Sequence, residues 1–121
     1  MEPLPITRIA LYVRDLPGIA EFYHTHFGFV PAPSDQTDKL TLKSPAGGCD
    51  LILLQASKGH KTGQSCVKIV FDVADVAAFR EERIEAGLEF GPIHRGPGYE
   101  FTNARDPAKN LIQISNGHLA K

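Results

Sequence analysis

An excess of charge, a long apolar run and patterned cysteines are all missing from this sequence. The 121 residues include 13 Lys and Arg against 14 Asp and Glu, so charge gives no reason to expect a nucleic-acid or membrane partner. No segment approaches the roughly 20 apolar residues of a membrane helix, and residues 1–7 have no signal-peptide pattern. Cys49 and Cys66 lack metal or redox spacing, which is typical of a reduced compartment. We therefore expect a cytoplasmic globular protein.

Familiar catalytic motifs are missing as well. The sequence contains no Gly-x-Ser-x-Gly nucleophile elbow, no phosphate-binding glycine-rich loop and no His/Cys pair at a recognisable spacing. These absences leave the function to be read from the fold and from single candidate residues.

An internal repeat is the strongest feature that the sequence does contain. Residues 9–16 and 69–76 match in their apolar and acidic positions at an offset of 60 residues. Two further pairs of segments keep the same order, 51–54 with 111–114 and 44–46 with 106–108. Three matches in one order are not expected by chance. The chain is therefore predicted to be a duplicated unit of about 60 residues.

Both copies of the repeat are predicted to contain one strand, one helix and three further strands. Asp15 and Asp75 are placed to cap the two helices at their N-termini, and Gly28 and Gly87 to end them. Alternating apolar residues predict the first strand, and the other strands are expected to follow it in the order of the repeat. In the first copy the predicted strands are 6–13, 29–31, 39–43 and 50–55. In the second copy they are 67–73, 88–94, 99–103 and 110–115. A single α+β domain follows, with a first module at about 5–56, a linker at 57–65 and a second module at about 66–116.

Several motifs of this series resemble those of the vicinal oxygen chelate superfamily, which includes glyoxalase I, extradiol dioxygenases and bleomycin resistance proteins. In the first copy the motifs are Val-x-Asp-Leu, Phe-Tyr and Phe-Gly-Phe, at 12–16, 21–23 and 27–29. In the second copy they are Val-x-Asp-Val and Asp-Pro through Gln, at 71–76 and 105–113. The resemblance implies two βαβββ modules that form a curved mixed sheet around a cleft. It also implies a homodimer that completes the cleft and covers open strand edges.

The metal site of that family is where the sequence departs from the pattern. Family members place ligands at the start of the first strand and on the last strand of each module, usually His or Gln and then Glu. These positions correspond here to Arg8 and Lys68, and to Leu53 and Gln113. Arg, Lys and Leu offer no lone pair to a metal, and one neutral amide is not a site for a divalent ion. We therefore predict neither a metal nor a cofactor.

A cavity without the metal would carry two cations and an amide, from Arg8, Lys68 and Gln113. Tyr12, two residues from Arg8, is predicted to point to the same face. Such a pocket suits a small organic anion with an apolar or aromatic body. Equally open is the alternative that both cations point outward into solvent. The remaining candidates for lining the cleft are Tyr99, Phe101 and His94, and His94 is either a general acid or base or a residue without a catalytic role.

Three functions are compatible with these features. The first is a metal-independent protein of the resistance type that binds a small molecule. The second is an enzyme, a lyase, isomerase or dioxygenase, which would need an unrecognised set of metal ligands or metal-free acid–base chemistry. The third is a regulatory or structural interaction domain. A small molecule that copurifies would favour the first, a bound metal the second and a cleft filled by side chains the third.

Overall fold

The βαβββ unit occurs twice along the chain. The computed structural model describes residues 2–3, 6–59, 61–64 and 67–118, and it divides into two compact units, Met1–Thr62 and Gly63–Lys121. The division falls within the predicted linker. His60 and Ser65, in that linker, and Cys66, at the predicted start of the second module, lie outside the described residues. Within the described ranges, no helix is long and apolar enough to cross a membrane.

The first unit is a four-stranded mixed sheet with one helix on one face. The sheet order is β1-β4-β3-β2, in which β1 and β4 are parallel and the other pairs are antiparallel. The elements are β1 (Arg8–Val13), α1 (Leu16–Phe27), β2 (Val30–Pro31), β3 (Lys39–Lys43) and β4 (Asp50–Gln55).

Both ends of α1 follow the sequence signals. The Asp15 carboxylate accepts a hydrogen bond from the Gly18 backbone N–H at 3.1 Å, which satisfies one of the free donors of the first turn. At the other end Gly28 adopts the left-handed conformation, φ 77°, that favours glycine. Apolar residues at helical spacing bury one side of α1 against the sheet. They are Leu16, Ile19, Ala20 and Tyr23.

The second unit repeats this topology. Its sheet order is β5-β8-β7-β6, with β5 and β8 parallel and the other pairs antiparallel. The elements are β5 (Lys68–Asp72), α2 (Val76–Glu85), β6 (His94–Gly96), β7 (Tyr99–Arg105) and β8 (Leu111–Ser115). The predicted strands at 67–73, 99–103 and 110–115 match β5, β7 and β8 within two residues at each end.

Helix α2 begins as predicted and ends one residue early. Asp75 accepts a hydrogen bond from the Ala78 N–H at 3.0 Å, while the C-terminal cap is Ala86 rather than Gly87. Gly87 then takes φ 101° and donates to the Ile84 carbonyl at 3.0 Å. Val76 is the one buried residue among those of this helix.

The strand predicted at 88–94 is wrong in its position. Pairing in this region consists of an isolated bridge between Phe90 and Ala104, followed by β6, which begins where His94 pairs with Phe101. Three residues lie between Phe90 and His94, but only two lie between their partners Phe101 and Ala104. The extra residue on the Phe90 side is a β-bulge. Pro92 lies in the bulge, and its missing N–H could not have continued the ladder.

The sheet register also corrects the alignment of the two last strands. Ala10 pairs with Ile52 in the first unit, whereas Val70 pairs with Gln113 in the second. The offset between β4 and β8 is therefore 61 residues rather than 60, and the counterpart of Gln113 is Ile52. The assignment of Leu53 to the ligand face is wrong, because Leu53 is 0% exposed in the hydrophobic core of its unit. A shift of one residue along a strand moves a side chain to the other face.

Candidate functional site

Each sheet has a helix on one face and polar side chains on the other. In β1, Ile9, Leu11 and Val13 are the more buried residues, and the exposed residues alternate with them. In β5, Ile69 and Phe71 are more buried than their neighbours in the same way. Because side chains of a strand alternate between faces, Arg8 and Lys68 both point away from the helix of their own unit. We call these surfaces the first open face and the second open face.

An ion pair dominates the first open face. Arg8 pairs in the sheet with Asp50, and Lys43 forms a salt bridge with the same carboxylate, at 2.9 Å between Nζ and Oδ2. The Ser44 backbone N–H donates to Asp50 at 2.8 Å. The hydrogen bond from Lys43 is the main cause that lowers the pKa of Asp50 below its usual value, followed by the Ser44 N–H, with a smaller contribution from the Arg8 charge. The charge of Arg8 is therefore partly offset.

Tyr12 lies on the same face, two residues after Arg8. It is 48% exposed and pairs with Leu54 of β4. Side chains alternate between the two faces along β1, so Arg8 and Tyr12 point to one face, as expected.

A cluster of two amides and a lysine occupies the middle of the second open face. The Asn103 side-chain oxygen accepts a hydrogen bond from Gln113 Nε2 at 3.1 Å and a longer one from Lys68 Nζ at 3.4 Å. Asn103 and Gln113 are cross-strand partners of β7 and β8, which explains why their short side chains meet. We call these three residues the amide–lysine cluster.

Three stacked rings form the other part of the second open face. Phe101 lies 5.1 Å from His94 and 5.8 Å from Tyr99 between ring centroids, with interplanar angles of 29° and 26°. We call His94, Phe101 and Tyr99 the aromatic stack. Its position depends on Gly96, because a Cβ at that residue would overlap the Tyr99 ring.

The second open face is also polarised along its strands. Lys68, Leu111 and Arg105 are cross-strand neighbours at one end, and Asn103 with Gln113 forms the next row. Phe101 follows in the row after that. Rows on one face are two residues apart, so the backbone of the Lys68 row lies roughly 13 Å from that of the Phe101 row. The Lys68 ammonium reaches from its own row to Asn103 in the middle row. At the aromatic end Asp72 pairs with Ser115. An anion would therefore be drawn to the Lys68 end.

Five of the seven predicted site residues share the second open face, namely Lys68, His94, Tyr99, Phe101 and Gln113. Arg8 and Tyr12 share the first open face. Sequence reasoning missed Asn103, although alternation along the predicted strand 99–103 places it on the side of Tyr99 and Phe101. Asn103 is a polar residue that follows two aromatic residues on the same side of this strand, and that pattern could have identified it.

Neither open face fits a divalent metal. The four positions that correspond to the family's ligands are held by Arg8, Ile52, Lys68 and Gln113. Two are protonated donors, one is a hydrocarbon, and the Gln113 amide is held by Asn103. In the part of the chain that the structure describes, no group of three or more His, Cys, Asp or Glu could hold a metal ion. No chemical step through a metal is therefore assigned to these residues.

Comparison with known protein families identifies the family of this chain by sequence. A family model described as the Glyoxalase/Bleomycin resistance protein/Dioxygenase superfamily matches residues 6–114. A search of curated proteins finds no significant match.

Solved structures with the same fold cover almost the whole chain. One is TnmS3, an antibiotic binding protein from Streptomyces sp. CB03234, with a TM-score of 0.78 and 19% identity over 94% of this chain and 96% of that one. A superfamily member from Sphaerobacter thermophilus DSM 20745 has a TM-score of 0.76 and 21% identity, covering 93% and 97%. Lactoylglutathione lyase from Agrobacterium tumefaciens has a TM-score of 0.75 and 21% identity, covering 98% and 97%. Identities this low show a shared fold.

Proposed function

Because the chain belongs to the glyoxalase/bleomycin resistance protein/dioxygenase superfamily, we propose that it binds a small organic anion on the second open face, without a metal. The ligand is a carboxylate or phosphate on an aromatic or apolar body. One observation carries the proposal: a cation, two amides and three rings lie in that order along one face of one sheet.

Each part of the ligand has a matching group on this face. The ammonium of Lys68 and the guanidinium of Arg105 attract the anionic group at one end. The aromatic stack offers apolar ring surface to the apolar body at the other end. Asp72 repels an anion from the aromatic end, so charge also fixes the direction in which the ligand lies. Few polar groups and a larger apolar surface are typical of small-molecule sites.

Independence from metal is proposed from the chemistry of the side chains. A cation at the first-strand position repels a divalent ion, and Gln113 contributes one neutral oxygen. The known antibiotic binding protein with the same fold is compatible with a binding role and does not identify the ligand of this chain.

The role of the first open face belongs to the proposal as well. Arg8 and Tyr12 were predicted from sequence to line the same cavity as Lys68, and this stays a prediction. The homodimer and the cytoplasmic location also stay proposals. Strands β1 and β5 form edges of their own sheets, and such edges are commonly covered by another strand or subunit.

A titration with matched probes tests the proposal. Phenylpropanoate and phenyl phosphate carry the anion, phenylpropanol is neutral, and phenylpropylamine is a cation. We expect the two anions to shift the amide NMR signals of β5, β7 and β8, and the neutral and cationic probes to bind at least about tenfold more weakly. Replacing Lys68 with Gln should weaken anion binding, while Lys58→Gln, at an exposed turn position after β4, serves as the matched control.

Two outcomes would contradict the proposal. If neither anionic probe binds, or if all four bind equally, the second open face is not an anion site. Native mass spectrometry of protein purified without chelator tests the metal separately. A stoichiometric divalent ion would overturn metal independence and favour the enzyme alternative.

A further inference from the structure

The Asn103 side-chain oxygen has both of its lone pairs engaged. It accepts one hydrogen bond from Gln113 Nε2 at 3.1 Å and one from Lys68 Nζ at 3.4 Å. An amide oxygen offers two such positions. Asn103 is therefore a junction that fixes two side chains at once.

The first consequence concerns the orientation of the Gln113 amide. A terminal amide can turn over and exchange its oxygen and nitrogen. The acceptor on Asn103 selects the orientation in which the Gln113 nitrogen points to it, and the Gln113 carbonyl oxygen then points away. Among the residues that the structure describes, this oxygen has no hydrogen-bond partner. The second open face thus presents an acceptor on the same amide whose nitrogen shares the Asn103 oxygen with the Lys68 ammonium.

We infer that Asn103 is a positioning residue that makes the site select anions with an adjacent hydrogen-bond donor. This inference rests on the proposed function and names its ligand class: aromatic carboxylates that carry a hydroxyl or amide N–H next to the carboxylate. The carboxylate binds Lys68, and the donor binds the Gln113 oxygen. Lys68 Nζ and Gln113 Nε2 both lie within 3.4 Å of one Asn103 atom. The Gln113 oxygen belongs to the same amide as Nε2, so the ligand groups that bind Lys68 and this oxygen must be near neighbours.

The positive charge of Lys68 determines which kind of hydrogen-bond donor the ligand can carry. An ammonium group on the ligand would hydrogen-bond the Gln113 oxygen equally well, but it would lie close to the Lys68 ammonium. Like charges at such distances repel. The site therefore selects a neutral donor over a cationic one, a hydroxy acid over an amino acid.

Three ligands that differ at one group test the selectivity. Phenyllactate carries the hydroxyl, phenylpropanoate lacks it, and the methyl ether of phenyllactate keeps the oxygen without the donor. We expect phenyllactate to bind about three- to tenfold more tightly than phenylpropanoate, the effect of one net hydrogen bond. The methyl ether should lose that gain, and phenylalanine, with its ammonium, should also bind more weakly than phenyllactate.

Variants of Asn103 separate positioning from a general structural role. In Asn103→Leu the Gln113 amide is no longer fixed, so the ratio of phenyllactate to phenylpropanoate affinity should fall toward one. Asn103→Asp keeps an acceptor for both donors, and the ratio should survive even though the added negative charge weakens all anions. If Asn103 only stabilised the fold, Asn103→Asp would not keep the ratio of phenyllactate to phenylpropanoate affinity that Asn103→Leu loses.

The outcomes distinguish failure of this inference from failure of the proposed function. If phenylpropanoate binds the wild-type protein and phenyllactate binds no more tightly, the inference is wrong while the anion site stands. If no aromatic carboxylate binds, both are wrong. A ratio that is unchanged in Asn103→Leu would remove Asn103 from its positioning role. The wild-type ligand series needs no variant, so a variant that does not fold leaves that test intact.

Discussion

The two units have the same topology and differ in both of their sheet faces. On the helix side, α1 buries four residues, whereas α2 buries Val76 alone among its own residues. On the open side, the first unit has Asp50 opposite Arg8, in a salt bridge with Lys43, and the second unit has Leu111 at the position corresponding to Asp50. Duplication thus preserved the backbone pairing while the side chains diverged. The first unit has the stronger helix packing, and the second carries the candidate ligand groups.

The largest expected effect tests the difference in helix packing. Tyr23 and Arg83 occupy corresponding helix positions 60 residues apart. Tyr23 is 0% exposed, while the guanidinium of half-buried Arg83 lies 5.8 Å from the centroid of the Phe79 ring. We expect Tyr23→Ala to lower the free energy of unfolding by about 3–5 kcal/mol, and Arg83→Ala by about 0.5–1 kcal/mol. Denaturant unfolding measures both.

Tyr23→Phe is the control for this pair, because it keeps the ring that fills the core. It should cost much less than Tyr23→Ala. Equal losses for Tyr23→Ala and Arg83→Ala would mean that the two helices stabilise their sheets to the same degree, against the burial pattern.

The second prediction compares the two cations at corresponding strand positions. Lys68→Gln should weaken phenylpropanoate binding about tenfold, as expected for loss of a charge-assisted contact. Arg8→Gln should weaken it by less than about threefold, because Asp50 already offsets the Arg8 charge. Isothermal titration of both variants, with Lys58→Gln as control, gives the comparison. An equally large loss in Arg8→Gln would instead support the sequence-based prediction that both cations serve one ligand.

The third prediction uses the Asp50 carboxylate, which the second unit lacks. The pKa of Asp50 is lowered from 3.8 in the folded protein by Lys43 and the Ser44 N–H. A lowered folded-state pKa stabilises the protein at pH values above 3.8, and the stabilisation is lost as the pH falls through the folded-state value. We therefore expect wild-type protein to be more stable than Asp50→Asn at neutral pH, and this difference to shrink in acid.

Unfolding of both proteins across this pH range measures the difference. Lys43→Gln should make the loss of stability in acid smaller, because it removes the hydrogen bond that is the main cause of the lowered Asp50 pKa. A stability difference that stays constant in acid would show that the Asp50 charge does not stabilise the first unit.

The smallest expected effect concerns the first turns of the two helices. Gly18 and Ala78 correspond, and each donates its N–H to the capping aspartate, at 3.1 and 3.0 Å. A Cβ at Gly18 would meet the Asp15 carboxylate, the end of a side chain that can turn, and Ala78 shows that the same cap accommodates one. Gly18→Ala should therefore stabilise the protein by about 0.5–1 kcal/mol.

The reciprocal change, Ala78→Gly, should destabilise by a similar amount. Thermal unfolding of both variants is the measurement. Destabilisation by Gly18→Ala would mean that the Asp15 cap cannot adjust in the way that the Asp75 cap does.

Most elements of the fold were predictable because their signals are local. The N-caps at Asp15 and Asp75 and the end of α1 at Gly28 are each formed within a few residues. Strands β3 and β4 were predicted at their observed bounds, since β3 alternates apolar and polar residues and β4 is a short apolar run between polar residues. The strand at 88–94 failed because it depended on pairing with β7, where a bulge moved the ladder to His94.

The candidate site was predictable only in part. The five predicted residues of the second open face were found from the resemblance and from strand alternation. Asn103 was missed although alternation along its own strand places it on the side of Phe101. Leu53 was placed on the wrong face because its alignment with Gln113 depends on which residue of the first strand lies opposite. That register comes from pairing between strands far apart in the sequence, and one residue of error exchanges the faces.

The sequence by itself determined the duplicated βαβββ order, the caps of the helices and the presence of cations where metal ligands are expected. These properties follow from local hydrogen bonding, periodicity and residue chemistry. Only the tertiary structure decided that Asn103 joins Lys68 to Gln113, that the rings of His94, Phe101 and Tyr99 stack, and that Asp50 faces Lys43. Those contacts are made between strands, so they exist only once the sheet register is set.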